Sequence, residues 1–220
     1  MIKQAVKIFK DYKQVKGADN YVKGLTPLYE EIYKHLPQAK LTYDIGCAYG
    51  IMSLACKLRG DDVVAMDMTA KYTNLEMFEK EGIKFEKWNI EKQAMPVTQK
   101  ADLVIFTEIL EHLNSNPLPT VKKLYNALDT GGYVVCSTPA KELWGETAGM
   151  NAQMGGKPPG LWNDLDSWRD IPEYKGKWID GHMYHFDQFD LVSLFSEAGF
   201  KVEDVKIISD FSHLLIGKKC

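Results

Sequence analysis

The stretch LTYDIGCAYG, Leu41–Gly50, decides how the rest of the chain is read. A short apolar run, LTYDI, suits a buried strand and carries one acidic residue, Asp44, near its end. Three small residues follow at alternate positions, Gly46, Ala48 and Gly50, and then a helical pattern, GIMSLACKLRG, that stops at Gly60. Close approach of a backbone to a ligand favours small residues, and a helix start offers N–H groups. The unit therefore reads as strand, ligand-side loop, helix.

Outward from this unit the alternation continues. DVVAMDM is a second strand ending near Asp67, NLEMFEKEG a second helix, and IKFEKWN a third strand. ADLVIFTE is a fourth strand, followed by a helical turn at ILEHL. PLPTVKKLYNALDTGG reads as a helix with a glycine stop, and YVVCSTP as a fifth strand. After a break, FDQFDLVSLFSEAGF is a helix, and KVEDVKIIS and SHLLIGKK are two strands. The short link between those two, DF, suits a hairpin, so the last strand is expected to be antiparallel. The expected fold is α/β: a doubly wound, Rossmann-like, seven-stranded sheet with helices on both faces.

Two segments lie outside the alternation. Residues 1–38 read as a helical cap, with Val6, Phe9 and Tyr12 on one face and a second helix around TPLYEEIYKHL. Residues 140–181 form an insert holding Trp144, Trp162, Trp168, Tyr174 and Trp178 around a GGKPPG run. Loops this long in a compact domain are usually functional or disordered, and the aromatic load argues against disorder. The insert is expected to cover an acceptor site, within one domain spanning 1–220.

The 220 residues carry a net charge of −3, with 45% apolar and 26% charged residues, an ordinary globular balance. That charge argues against a broad footprint for duplex nucleic acid. The start, MIKQAVKIFKDYK, has no continuous apolar core, and no run approaches the roughly 18 apolar residues of a membrane span. Cys47, Cys56, Cys136 and Cys220 show no paired spacing and read as reduced thiols, so a cytoplasmic protein is expected.

The loop departs from the dinucleotide fingerprint, G-x-G-x-x-G, which argues against a nicotinamide enzyme. Asp44 just before the loop would repel a pyrophosphate and suits a ligand with a positive charge. Asp67, about 20 residues on, suits ribose hydroxyls. These residues, with VVAMD, FEKWNIEKQAMP, ADLVIFTEILEHL, LDTGGYVVCSTP and HMYHFDQFDLVSLFSEAGFKV in order, resemble the class I S-adenosylmethionine-dependent methyltransferase family. The resemblance runs from about Leu41 to the C-terminus, excluding the insert.

It implies S-adenosylmethionine as cofactor and S-adenosylhomocysteine as product. Asp44 and the loop backbone at Gly46, Cys47, Ala48 and Gly50 would hold the methionine amino group. Asp67 would take the ribose hydroxyls and Met68 would lie against the adenine. Asn89 would accept from the adenine amino group through its side chain, and Ile90 would contribute its N–H. Thr107 and Glu108 would lie beside the methionine part. Ala48 stands where the family often has a glycine, and its methyl is tolerated there if φ is negative. Asn89 stands where an aspartate is common.

Methyl transfer needs a nucleophile in line with the sulfonium, and often a base. Glu111 and His112 follow the fourth strand at the edge where such sheets bind ligands, and His112 suits a general base. His182 and His185, in DGHMYHFD, are the other catalytic candidates. E-x-x-E-H also resembles the metal-binding motif of small-RNA 2′-O-methyltransferases and ubiquinone-pathway O-methyltransferases. In that alternative Glu108, Glu111 and His112 hold a divalent cation, with His182 or His185 adding a ligand. The expected activity is O-methylation of a small molecule or glycan unit. The alternatives are a metal-assisted RNA 2′-O-methyltransferase and a non-catalytic nucleotide-binding partner subunit. The acceptor and the oligomeric state have no signature in the sequence.

Overall fold

A computed structural model describes residues 1–12, 17–145, 162 and 181–220. The chain begins with two helices, α1 (Ile2–Asp11) and α2 (Ala18–Lys34). The alternating part then runs β1 (Leu41–Ile45), α3 (Ile51–Leu58), β2 (Asp62–Asp67), α4 (Leu75–Lys80), β3 (Lys84–Lys87) and β4 (Ala101–Thr107). A 3-10 turn at Leu110–His112 leads to α5 (Leu118–Ala127), β5 (Leu128–Pro139) and the short α6 (Lys141–Trp144). Past the insert come α7 (Gln188–Glu197), β6 (Lys201–Ile208) and β7 (Ser212–Lys218).

The seven strands form one sheet in the order β3-β2-β1-β4-β5-β7-β6. The pairs from β3 to β5 are parallel; β7 is antiparallel to both β5 and β6. β1 and β4 are neighbours at the point where the strand order reverses, so their carboxyl ends open a crevice. The β6–β7 hairpin turns through Ser209 (φ 54°) and Asp210 (φ 48°), with Phe211 N–H donating to Ile208 O at 3.1 Å. Two central residues at positive φ make the primed turn whose twist matches the flanking strands.

β4 shows why the sheet needs cover on both faces. Its Leu103 and Ile105 point into one core with α1, α2 and α3, while Val104 and Phe106 point into the other with α5 and α7. Successive side chains alternate faces, so a strand covered twice reads as a continuous apolar run. Asp187 caps α7 reciprocally with Asp190, its Oδ1 accepting from the Asp190 N–H at 2.8 Å.

Two expectations need correction. The helix expected over 117–132 ends at Ala127, because Leu128 is fully buried and pairs with Ala101 in the sheet. Gly131 and Gly132 therefore serve the irregular start of β5, where a Cβ on Gly132 would sit 3.0 Å from Asp129 O, and not a helix stop. On α1 the expected face of Val6, Phe9 and Tyr12 does pack on the core, Phe9 fully buried and the other two half-buried, and Ile2 and Ala5 complete it; Tyr12 itself lies at the C-cap in extended conformation. The turn at Leu110–His112 is too short to carry Glu108, which precedes it at φ 55°.

Of the insert, Trp144 donates through Nε1 to Phe211 O at 3.0 Å, and Trp162 is buried in the core on the α5–α7 side. Trp168, Tyr174 and Trp178 lie outside the described residues. Among the described residues no helix is long and apolar enough to cross a membrane.

Candidate active site

A cavity of about 440 Å³ opens at the carboxyl ends of β1, β2 and β4. The loop after β1 forms one wall. Gly46 N–H and Cys47 N–H donate to Met66 O at 2.8 and 3.1 Å, which folds the loop back onto β2. Gly46 (φ 79°) and Gly50 (φ 76°) adopt left-handed backbone that side chains rarely take. A Cβ on Gly46 would sit 2.2 Å from Ile109, and one on Gly50 would sit 2.3 Å from the Phe78 ring. Ala48 also lies at positive φ (42°), so the condition for tolerating its methyl is not met. The local strain is held by Ala48 N–H donating to Asp67 Oδ2 (3.1 Å) and Ala48 O accepting from Thr73 Oγ1 (2.8 Å).

Asp44 is 2% exposed and accepts from Ser53 Oγ at 2.5 Å. Burial pushes its carboxyl up to about 6, against the Ser53 hydrogen bond that favours the charged form. Asp67 is raised by burial too, while its oxygens accept from the Thr69 and Ala48 N–H groups. Each carboxylate oxygen has a second lone pair to offer a ligand. Met68, Ile90 and Leu113 supply apolar wall. Asn89 lines the cavity, but its Oδ1 accepts from the N–H groups of Glu91 and Lys92, both at 3.1 Å. Of the expected cofactor contacts, Gly50 alone does not line the cavity; it shapes the loop from behind.

The far end is set by Glu108 and the 3-10 turn. Glu108 N–H donates to Ser137 O at 2.8 Å, and its Oε1 accepts from Ser137 Oγ (2.7 Å) and Ser212 Oγ (3.0 Å). Burial raises its carboxyl to about 7. Glu111 is 1% exposed, accepts from Thr138 Oγ1 at 3.0 Å, and is pushed well up by burial and by the Glu108 charge. Its Oε1 lies 3.8 Å from His112 Nε2. Met183 N–H donates to Glu111 O at 2.6 Å, which brings the His182 segment over the turn.

His182 and His185 are hydrogen-bonded to each other, and the His112 ring stands edge-on to His182 at 4.8 Å. His112 Nδ1 faces Gly181 O at 3.0 Å, and His185 Nδ1 faces Gly145 O at 2.8 Å. A carbonyl only accepts, so both Nδ1 atoms carry protons. His185 Nε2 then accepts from His182 Nδ1 at 2.8 Å, which puts the lone pair of His182 on Nε2. Burial lowers His182 to about 4, so it is neutral at physiological pH. Glu111, His112 and His182 bring ligand atoms within 4.8 Å of one another. Glu108, expected in that group, is turned toward the two serines instead, and His185 stands one step behind His182. Of the four catalytic candidates, only His112 lines the cavity.

The sequence reading missed the tyrosines. Tyr21 and Tyr29 from α2, Tyr49 from the loop and Tyr72 all line the cavity. Tyr49 sits between Tyr21 (5.2 Å) and Tyr72 (5.6 Å), with Phe9 of α1 behind it at 6.1 Å. The i, i+8 spacing of Tyr21 and Tyr29 on one helix face was the available signal.

A family model described as "Methyltransferase domain" matches residues 24–205. The ubiquinone biosynthesis O-methyltransferase of Pseudomonas savastanoi pv. phaseolicola is 30% identical over 103 residues, 45% of this chain and 44% of that protein. The one of Pseudomonas putida F1 is 32% identical over 107 residues, with the same shares. The match thus spans less than half the length of these curated relatives. Among solved structures, a putative S-adenosylmethionine-dependent methyltransferase of Listeria monocytogenes aligns with TM-score 0.62 at 17% identity, covering 87% of this chain and 97% of that one. The magnesium protoporphyrin IX methyltransferase of Synechocystis, with bound S-adenosylhomocysteine, aligns with TM-score 0.60 at 15% identity, covering 99% and 94%. At such identities the structural likeness speaks for the fold.

Proposed function

We infer, for a chain that belongs to the class I S-adenosylmethionine-dependent methyltransferase family, that its reaction is methylation of a hydroxyl on a small molecule or glycan unit. S-adenosylmethionine supplies an electrophilic methyl on a sulfonium, and its transfer leaves S-adenosylhomocysteine. The observation that carries the reading is the single cavity shared by Asp44, Asp67, Glu108 and His112. Asp44 would take the ammonium of the methionine part and Asp67 the ribose hydroxyls, as acceptors already oriented by the loop. Met68, Ile90 and Leu113 would flank the adenine. The tyrosines would offer flat faces to the acceptor and exclude water. His112, with Nδ1 protonated against Gly181 O, would present Nε2 as the base that takes the acceptor proton. O-methyl transfer also agrees with the activity named for the partial relatives.

A second reading has its own observation. Glu111, His112 and His182 form a donor set of one carboxylate and two imidazoles, and the His185 contact fixes the tautomer of His182. Such a set fits a divalent cation, which would lower the pKa of an acceptor hydroxyl. A hydrogen bond to the ring nitrogen that faces away from the metal orients a metal-binding imidazole.

Calorimetric titration with S-adenosylhomocysteine tests the first reading. Wild type is expected to bind, and Asp67→Ala to bind about 10- to 100-fold more weakly, the worth of charge-assisted hydrogen bonds at about 1.5–3 kcal/mol. Absence of binding by folded wild type refutes the reading. Titration with Mn²⁺ tests the second: binding that disappears in His182→Ala supports it, and no binding removes it.

A further inference from the structure

The turn after β3 puts Asn89, Ile90 and Glu91 on the cavity. Its two ends are tied down. Trp88 N–H donates to Asp67 O at 2.7 Å, and Trp88 Nε1 donates to Ala94 O at 2.8 Å. Asn89 closes the middle of the turn from one side. Its Oδ1 accepts from the N–H groups of Glu91 and Lys92, both at 3.1 Å, and its own N–H donates to Gln93 Oε1 at 2.7 Å.

Lys123 of α5 closes the turn from the other side. Its Nζ donates to the carbonyls of Ile90, Glu91 (3.3 Å) and Gln93 (2.9 Å). An ammonium has three donors, and three carbonyls meet them. A peptide unit is rigid and planar, so the Ile90 carbonyl turns with the Glu91 N–H, and the Glu91 carbonyl with the Lys92 N–H. Asn89 and Lys123 therefore hold the same two peptide units by their opposite ends. The Glu91 carboxylate, fixed by Ser115 Oγ at 2.6 Å, adds negative charge to the same turn. Without a cation, three converging carbonyl dipoles and that carboxylate would repel one another, and the carbonyls would turn outward to water. The N–H groups would turn with them, and Asn89 and Ile90 would leave their places on the cavity.

We propose that Lys123, which does not itself line the cavity, is a positioning residue for the cofactor: by holding the turn at 89–93 it sets the affinity for the adenosine part. This rests on the reading of the cavity as the S-adenosylmethionine site, with Ile90 beside the adenine. Lys123 acts ahead of binding, by keeping the adenine wall in its binding shape while the cavity is empty.

The test is calorimetry with S-adenosylhomocysteine and with 5′-methylthioadenosine, which keeps the adenosine part and lacks the amino acid. Wild type is expected to bind both. Lys123→Met keeps the apolar stem and removes the ammonium. Val121→Ala cuts into the core on the same helix and removes none of the hydrogen bonds of the turn; melting curves follow both variants. Lys123→Met is expected to bind both ligands about 10-fold more weakly, by the same factor, because the turn must then be ordered on binding. Val121→Ala is expected to lower the melting temperature and leave both affinities in place. A lower melting temperature in Lys123→Met with unchanged affinities overturns the proposal, as do equal affinity losses in the two variants. A loss confined to S-adenosylhomocysteine places the effect at the amino-acid end and overturns it too. If Lys123→Met does not fold, Lys123→Arg takes its place. A planar guanidinium keeps the charge but cannot meet three converging carbonyls, so both affinities must fall together, and unchanged affinities overturn the proposal. Folded wild type that binds neither ligand refutes the cofactor reading itself, so the two failures are distinct.

Discussion

At the scale of the residue, Asp44 is poised between folding and binding. Its carboxyl titrates near 6 in the folded chain, above the ordinary 3.8. A raised carboxyl adds stability that is complete below the ordinary value and is lost as pH rises through 6. The same ionisation creates the charge an ammonium needs. Between pH 5 and 7.5 the rise in melting temperature caused by S-adenosylhomocysteine should therefore grow, and Asp44→Asn should flatten the trend; thermal shift across pH checks both. Ala48 stores a smaller strain. An alanine in left-handed backbone costs roughly 1–2 kcal/mol, and the greater freedom of glycine in the unfolded chain returns part of that. Ala48→Gly should stabilise the protein by up to about 1 kcal/mol, or about 2–4 °C, measured by calorimetric melting. The methyl was visible in the sequence, but the sign of φ was not, because it depends on where Asp67 and Thr73 pull the loop.

At the scale of the element, the loop between β1 and α3 is built by what stands behind it. Gly50 carries positive φ and has the Phe78 ring of α4 where a Cβ would go. Gly50→Ala therefore combines left-handed strain with overpacking, at on the order of 2–4 kcal/mol. Urea unfolding should show it as a lower midpoint, and the cofactor affinity should fall as the loop shifts. The strands were legible because burial on both faces leaves continuous apolar runs such as ADLVIFT. The end of α5 was not, because Leu128 enters the sheet through pairing with Ala101, a contact 27 residues distant in the chain. The turn EIL-EHL misled for a similar reason. Its spacing suggests Glu108, Glu111 and His112 together, yet Ser137 and Ser212, both far along the chain, draw Glu108 away.

At the scale of the whole molecule, α2 supplies Tyr21 and Tyr29 to the wall of the cavity, and α1 backs that wall through Phe9. Phe9 is fully buried between α1 and the helices below it and meets Tyr49 edge-on. Phe9→Ala should cost about 3–5 kcal/mol and also weaken binding of S-adenosylhomocysteine, since Tyr49 loses its backing; denaturant melts and calorimetry read the two effects separately. The sequence by itself determined the alternation of strands and helices, the crevice side of the sheet, the antiparallel last strand and the acidic pair Asp44 and Asp67. Those features follow from local periodicity, glycine positions and the spacing of a repeated unit. The tertiary structure alone decided that His182 joins Glu111 and His112, that four tyrosines from three segments share one cavity, and that Lys123 of α5 grips the turn that Asn89 closes from the other side. Each of those depends on hydrogen bonds and packing between residues distant in the chain, which no local pattern encodes.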